Sequence, residues 1–282
     1  MTSLHRLRSG PLVVIAIATA VVALFWMPAG TANAFFIQNH ESITRAALPN
    51  IPNNVMTQIL VGPPPGAGAV GTDAFFNDHY RHLDNSPDPA TMCGFAQQAW
   101  DTFDPIVLSG SQVVGGNLAD GPGARAAVGA LLHVQQDFYA HSNFVDLQGN
   151  QMAAPVLPTC DPAAYPAGLY TGYFDLTFGN HEDPLSGCPP GGPPPGFQQC
   201  HSTLNKDGPN TPDGSQQVPG TGMTKYAVAA ALATTATVNL YDQIRAQVAS
   251  TNGENAAALL FGGDGGTGGA PLADTLYSGR GK

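Results

Sequence analysis

Two long stretches of the chain carry helical spacing of apolar residues. From Met223 to Ser250, Val228, Leu232, Ala236, Leu240, Ile244 and Val248 recur at every fourth position, the buried edge of a long helix. From Ala124 to Asp146 the pattern is less ordinary. Gly121-Pro122-Gly123 offers a helix start and no proline follows, with Val128, Leu131, Phe138 and Tyr139 as the expected core stripe. At about 100° per residue, His133, Asp137 and His141 share an arc of roughly 80°. Ala126, Gly129 and Ala130 lie near that arc and are expected to keep it open.

Shorter helices are expected from His40 to Leu48 with Asn39 as cap, over Asn50–Val61, and over Ala96–Leu108 with a break near Pro105. Gly62–Gly68, Ser109–Gly123 and a long Pro/Gly-rich region from Gln148 to Gly222 read as loops. Gly253–Lys282 reads as a Gly-rich, disordered tail. The expectation is an all-α, multi-helix protein.

Composition narrows the partners. The chain has 282 residues, with 34 Gly and 25 Pro, enough for one domain with a real core and long loops. Twenty acids against ten bases give a net charge of -10, which disfavours a stable nucleic-acid complex made through a basic face. Catalysis on a phosphodiester stays open, because bound cations can supply positive charge.

The first 34 residues have the layout of an export signal. His5, Arg6 and Arg8 form a positive start, Pro11 to Met27 is almost unbroken apolar sequence, and Thr31-Ala32-Asn33-Ala34 ends in a small-x-small cleavage pattern. Cleavage after Ala34 places the protein outside the cytoplasm, secreted or in the cell envelope, and leaves Phe35 at the mature N-terminus. Cys93, Cys160, Cys188 and Cys200 then meet an oxidising compartment, where two disulfides are expected. Cys188 with Cys200, across a Pro/Gly loop, is the favoured pair among three possible connectivities.

Two imidazoles and a carboxylate in register suit a zinc site, which takes neutral nitrogens and hard oxygens at short range. The plainer alternative is a polar, solvated helix face. A second cluster, Asp73-Ala-Phe-Phe-Asn-Asp78-His79-Tyr-Arg-His82-Leu-Asp84-Asn85, packs acids and histidines densely. A phosphate loop, a dinucleotide fingerprint and a Gly-x-Ser-x-Gly elbow are all missing from the sequence.

The run His133-Val-Gln-Gln-Asp137-Phe-Tyr-Ala-His141-Ser-Asn143-Phe-Val-Asp146 resembles the signature of the Het-C family. His82-Leu-Asp-Asn85, Thr171-Gly-Tyr-Phe-Asp175 and Cys200-His201-Ser-Thr-Leu-Asn-Lys-Asp207 resemble further family segments in the same order, covering about Phe35 to Arg245. Het-C proteins are in turn distantly similar to the zinc-dependent phospholipases C of bacteria and the zinc nucleases of fungi. That resemblance implies a phospholipase C/nuclease-like helical bundle over residues 35–252 that holds up to three zinc ions.

The metal ligands it implies are Phe35 through its amine and carbonyl, then His40, Asp73, His82, His133, Asp137, His141, His201 and Asp207, with Asp137 able to bridge two metals. It further implies hydrolysis of a phosphate ester, foremost a phospholipid headgroup bond, with peripheral membrane contact. Asp84, close in sequence to His82, is the candidate general base, or else a carboxylate that orients that imidazole. A nuclease, or a non-catalytic membrane-active or interaction protein with structural zinc, is the alternative. Three positions depart from the enzyme pattern. His141 lies two residues early, the N-terminal Trp is Phe35, and Asn205 stands four residues after His201 where an acid is usual. The last departure implies either that Asp207 substitutes from a loop or that one metal position is weak.

Overall fold

The computed structural model describes residues 36–178 and 187–262. The expected export signal, Phe35 and residues 263–282 of the expected tail lie outside them. In chain order the helices are α1 (Phe36–Ala47), α2 (Asn53–Leu60), α3 (Gly68–Gly71), α4 (His79–His82), α5 (Pro89–Gly110), α6 (Gly121–His141), α7 (Phe144–Gln148), α8 (Lys225–Asn252) and α9 (Glu254–Gly262). A two-stranded antiparallel ribbon, β1 (Val113–Val114) and β2 (Asn117–Leu118), joins α5 to α6. The all-α expectation holds.

Helix α6 is the axis of the molecule. Asp120 caps it by accepting from the Gly123 amide at 3.0 Å, and Pro122 sits in the first turn, where no amide bond is lost. Every residue from Gly123 to His141 is buried. Helices α2, α3, α5 and α8 pack around it. The sequence pattern suggested one core stripe and one open strip, but neighbouring helices cover both.

Gly129 shows how closely. A Cβ there would lie 1.9 Å from the Ile59 carbonyl oxygen and 2.6 Å from the Ala69 amide nitrogen. The small residues on this face therefore admit backbone rather than ligand. Because backbone cannot swing aside as a side chain can, Gly129→Ala is expected to cost about 3 kcal/mol, the upper end for overpacked cores. Denaturant unfolding checks this, and an unchanged midpoint would show that α2 and α3 can retreat.

Helix α8 buries the expected edge, Val228 through Val248, with Thr224 as cap. Helix α5 runs through Pro105 without ending, so the expected break is absent. Helix α1 begins before Asn39, which therefore lies inside it rather than capping it. The Ser109–Gly123 loop contains the ribbon, whose turn is Gly115-Gly116 with φ of 61° and 87°, the left-handed pair a tight hairpin needs.

The expected tail is wrong at its start. Glu254–Gly262 is a helix that folds back on α8, burying Ala256, Ala257, Leu260 and Phe261. Buried Arg125 holds it by donating to the carbonyls of Leu259 and Leu260, each at 2.8 Å.

Among the described residues, the region between α7 and α8 holds short 3-10 turns and isolated β-bridges. Cys93–Cys160 ties its start to α5, and Cys188–Cys200 closes a loop beside the candidate site. The favoured pairing is thus present, and two disulfides indicate an oxidising compartment.

Candidate metal centre

Helix α6 presents His133, Asp137 and His141 one turn apart, and the rest of the chain brings partners to them. His40 comes from α1, Asp73 from the 3-10 turn Thr72–Ala74, and His82 from the end of α4. His201 opens the 3-10 turn His201–Thr203, and Asp207 lies in the following loop. None of these eight side chains belongs to a residue more than 4 % exposed, which excludes a solvated helix face.

Their ligating atoms form three groups: His40, His133 and Asp137; Asp73, His82 and His133; and His141, His201 and Asp207. Within each, the atoms lie within 4.8 Å of one another. His133 Nε2 is 2.9 Å from Asp137 Oδ2, 3.2 Å from His82 Nδ1 and 3.6 Å from Asp73 Oδ1. His40 Nε2 is 3.2 Å from Asp137 Oδ1, and His141 Nε2 is 3.1 Å from Asp207 Oδ1. A tetrahedral ion with ligands about 2.1 Å away sets those ligands about 3.4 Å apart, so these edges fit one.

Buried polar atoms point the same way. Both Asp73 oxygens, His82 Nε2 and His141 Nδ1 are buried without a hydrogen-bond partner. Such atoms are costly unless something polar or charged meets them.

The surroundings fix the imidazoles. His133 Nδ1 donates to the Ala69 carbonyl at 2.8 Å, which leaves the Nε2 lone pair for the cluster. His40 Nδ1 lies 2.7 Å from Gln136 Oε1. The Gln136 amide nitrogen donates to Thr44 and Thr237, and the Thr237 hydroxyl is itself spent on the Ala233 carbonyl. Gln136 therefore turns its oxygen to His40, and Nδ1 must carry the proton. Sequence reasoning missed Gln136. The available signal was an uncharged amide next to Asp137, on the helix that carries the candidate ligands.

The segment His82-Leu83-Asp84-Asn85 does three jobs. His82 reaches the cluster. Asp84 Oδ1 accepts from His201 Nδ1 at 2.8 Å, so the imidazole this carboxylate orients is that of His201. The Asn85 side chain accepts from the Phe174 amide and donates to its carbonyl, fastening residues 171–174 across the site. Gly172 there packs on the His201 backbone, where a Cβ would sit 2.5 Å from its Cα.

Asn205 is not a ligand. Its side chain accepts from the Asp207 amide at 2.8 Å and makes the turn that swings Asp207 inward. Asp207 thus reaches His141 and His201 from the loop. Asn39, also unforeseen, donates to the Asp207 carbonyl and accepts from Tyr226.

Electrostatics follow from burial and crowding. Burial alone would lower the His40 imidazole, but the charges of Asp73 and Asp137 reverse this and raise it to about 9. His201 likewise rises to about 9 against burial, because Asp84 holds its proton. Burial pushes Asp73 up to about 8, helped by the nearby carboxylates. Burial and the neighbouring His40 and His82 drop His133 to about 4. Burial would also raise Asp137, yet His133, His40 and His82 hold it well below the usual range. Without metal, the cluster therefore carries protons at neutral pH that a cation can displace.

No family model, characterised protein or solved structure matches this chain.

Proposed function

We propose that the protein is an exported, zinc-dependent hydrolase of phosphate esters, of the Het-C and phospholipase C/nuclease type, with phospholipids as the foremost substrates. One observation carries the reading. The two oxygens of Asp137 face different partners, Oδ1 towards His40 and Oδ2 towards His82 and His133. A carboxylate so placed can bridge neighbouring cations, the arrangement phosphoryl chemistry uses. Imidazole and carboxylate donors suit Zn²⁺, up to three ions on the three groups. All four cysteines are in disulfides, so no thiolate competes.

Bound there, the ions supply Lewis-acid activation of water and neutralise phosphate charge. The chain supplies the rest. Ala69 and Gln136 set the His133 and His40 tautomers, Asp84 orients His201, and Asp137 spaces the groups. Export by cleavage after Ala34 fits the disulfides. Phe35 as a further ligand belongs to the same proposal, as does peripheral membrane contact, since a phospholipid is met at its bilayer.

A second reading has its own support. Ligands this deeply buried also suit a closed, structural metal core. One experiment separates the two: metal analysis of the mature protein, with assays on phosphatidylcholine, bis-nitrophenyl phosphate and single-stranded DNA. The hydrolase predicts bound zinc and chelator-sensitive turnover of the first two. Zinc without turnover on any substrate favours the structural core, and absence of bound metal overturns both.

A further inference from the structure

Behind the third group lies a buried cation that the proposed chemistry does not use. Lys206 is fully buried, and its ammonium meets two carbonyls and one carboxylate. It donates to the Ser142 carbonyl at 2.7 Å and the Leu204 carbonyl at 3.1 Å, and lies 3.1 Å from Asp213 Oδ2. The position of those carbonyls is informative. Ser142 follows His141, Leu204 ends the turn that His201 opens, and Lys206 itself precedes Asp207. The Lys206 amide also donates to Ala140, just before His141.

We infer that Lys206 is a positioning residue that fixes His141, His201 and Asp207 relative to one another as a single cation-binding group. The three ligands come from a helix end, a 3-10 turn and a loop. Gly172 and Tyr173 already tie the two histidine backbones together, the Gly172 amide donating to the His141 carbonyl at 3.0 Å and the His201 amide to the Tyr173 carbonyl at 2.8 Å. The Lys206 ammonium, bonded to the backbone beside each histidine and carried on the residue before the acid, adds the tie that brings in Asp207. The Ser142 carbonyl, on the residue that caps α6, is among those the helix end leaves without an intrahelical partner, and the ammonium supplies one.

The ammonium is braced from outside. Asp213 Oδ1 is 2.6 Å from Lys225 Nζ, and Lys225 also pairs with Asp146 just beyond α6. Two lysines and two aspartates thus balance, which keeps the buried charge tolerable. The same brace links the start of α8 to the loop bearing Asp207. Arginine keeps the charge and the donors at this position, whereas methionine keeps only the bulk.

This inference rests on the metal reading of the site, and the test separates the two. Zinc is titrated into metal-free wild type, Lys206→Met, Lys206→Arg and Asp207→Ala, with stoichiometry and per-site affinity recorded. Cobalt absorption reports the coordination of each equivalent. Lys206→Met should weaken one equivalent by about 10–100-fold, the cost of losing an outer-shell partner, and leave the others unchanged. The equivalent affected should be the one Asp207→Ala removes, and Lys206→Arg should restore much of it. The intact equivalents show that the variant is folded.

Wild type that binds no metal sinks the metal reading itself. Wild type that binds metal while Lys206→Met keeps every equivalent at full affinity overturns this inference alone. If Lys206→Met does not fold, Asp213→Asn is titrated instead. It keeps both carbonyl bonds but loosens the hold on the ammonium, so selective weakening of the same equivalent supports the inference and unchanged affinity overturns it.

Discussion

Asp137→Ala is expected to abolish phosphodiester hydrolysis, remove the zinc held with His40 and His133, and lower the melting temperature, all together. The carboxylate faces three imidazoles within 3.2 Å, His40, His82 and His133, and is itself buried. Removing one partner of a buried charged set leaves the others uncompensated, at a cost of about 3–5 kcal/mol. For a domain of this size that is about 6–20 °C in melting temperature. Losing a bridging position also costs several kcal/mol of charge stabilisation in phosphoryl transfer, a rate loss of at least about 100-fold. Metal analysis, calorimetry and a bis-nitrophenyl phosphate assay on one preparation check all three. Full zinc content with unchanged melting would show that Asp137 is a buried hydrogen-bond partner and no ligand.

Chelation should destabilise the protein more at pH 9.5 than at pH 7. In the metal-free protein, His40 and His201 are raised from 6.5 to about 9 by their carboxylate partners, and Asp73 from 3.8 to about 8 by burial. A group with a raised folded pKa stabilises fully below its unfolded value and loses that contribution as pH climbs through the folded value. For the two histidines the window is about pH 6.5 to 9, and for Asp73 it closes near pH 8. His133, lowered to about 4, works in the opposite window, losing stability as pH falls from about 6.5 towards 4, and adds nothing above neutrality. Metal-free stability therefore falls between pH 7 and 9.5.

The loaded protein behaves oppositely, because metal must displace those same protons and binds better once they are gone. An ion present at 100–1,000 times its dissociation constant adds about 2.7–4.1 kcal/mol, or about 5–16 °C. Melting curves with zinc or chelator at the two pH values check the result. A gap that stays constant or narrows at pH 9.5 would show that these histidines are not where the metal goes.

What could be read locally was read from the chain alone. A four-residue period specifies a helix edge, so Val228 through Val248 gave α8 its buried face. The same period put His133, Asp137 and His141 on one line, because residues one turn apart on a helix must be neighbours. Helix α9 is hard to read in the sequence because Ala256, Ala257, Leu260 and Phe261 stand next to a glycine-rich run whose composition outweighs them. The partners in sequence of the α6 ligands, His40, Asp73, His82, His201 and Asp207, were named through a family resemblance, and no spacing in the chain implies that they meet.

Tertiary structure decided the rest. Whether the α6 strip faced solvent or a packed interior depended on α2 and α3 pressing on Gly129 through Ile59 and Ala69, 70 and 60 residues away in sequence. Which oxygen of Asp137 meets which imidazole, and which nitrogen each imidazole presents, was set by Ala69, Gln136 and Asp84 reaching in from other elements. The role of Lys206 was equally invisible, since a lysine in sequence reads as surface and only burial among two carbonyls and a carboxylate makes it a brace. Helix period is a property of neighbouring residues, whereas ligand geometry is a property of distances between elements, and packing alone fixes those distances.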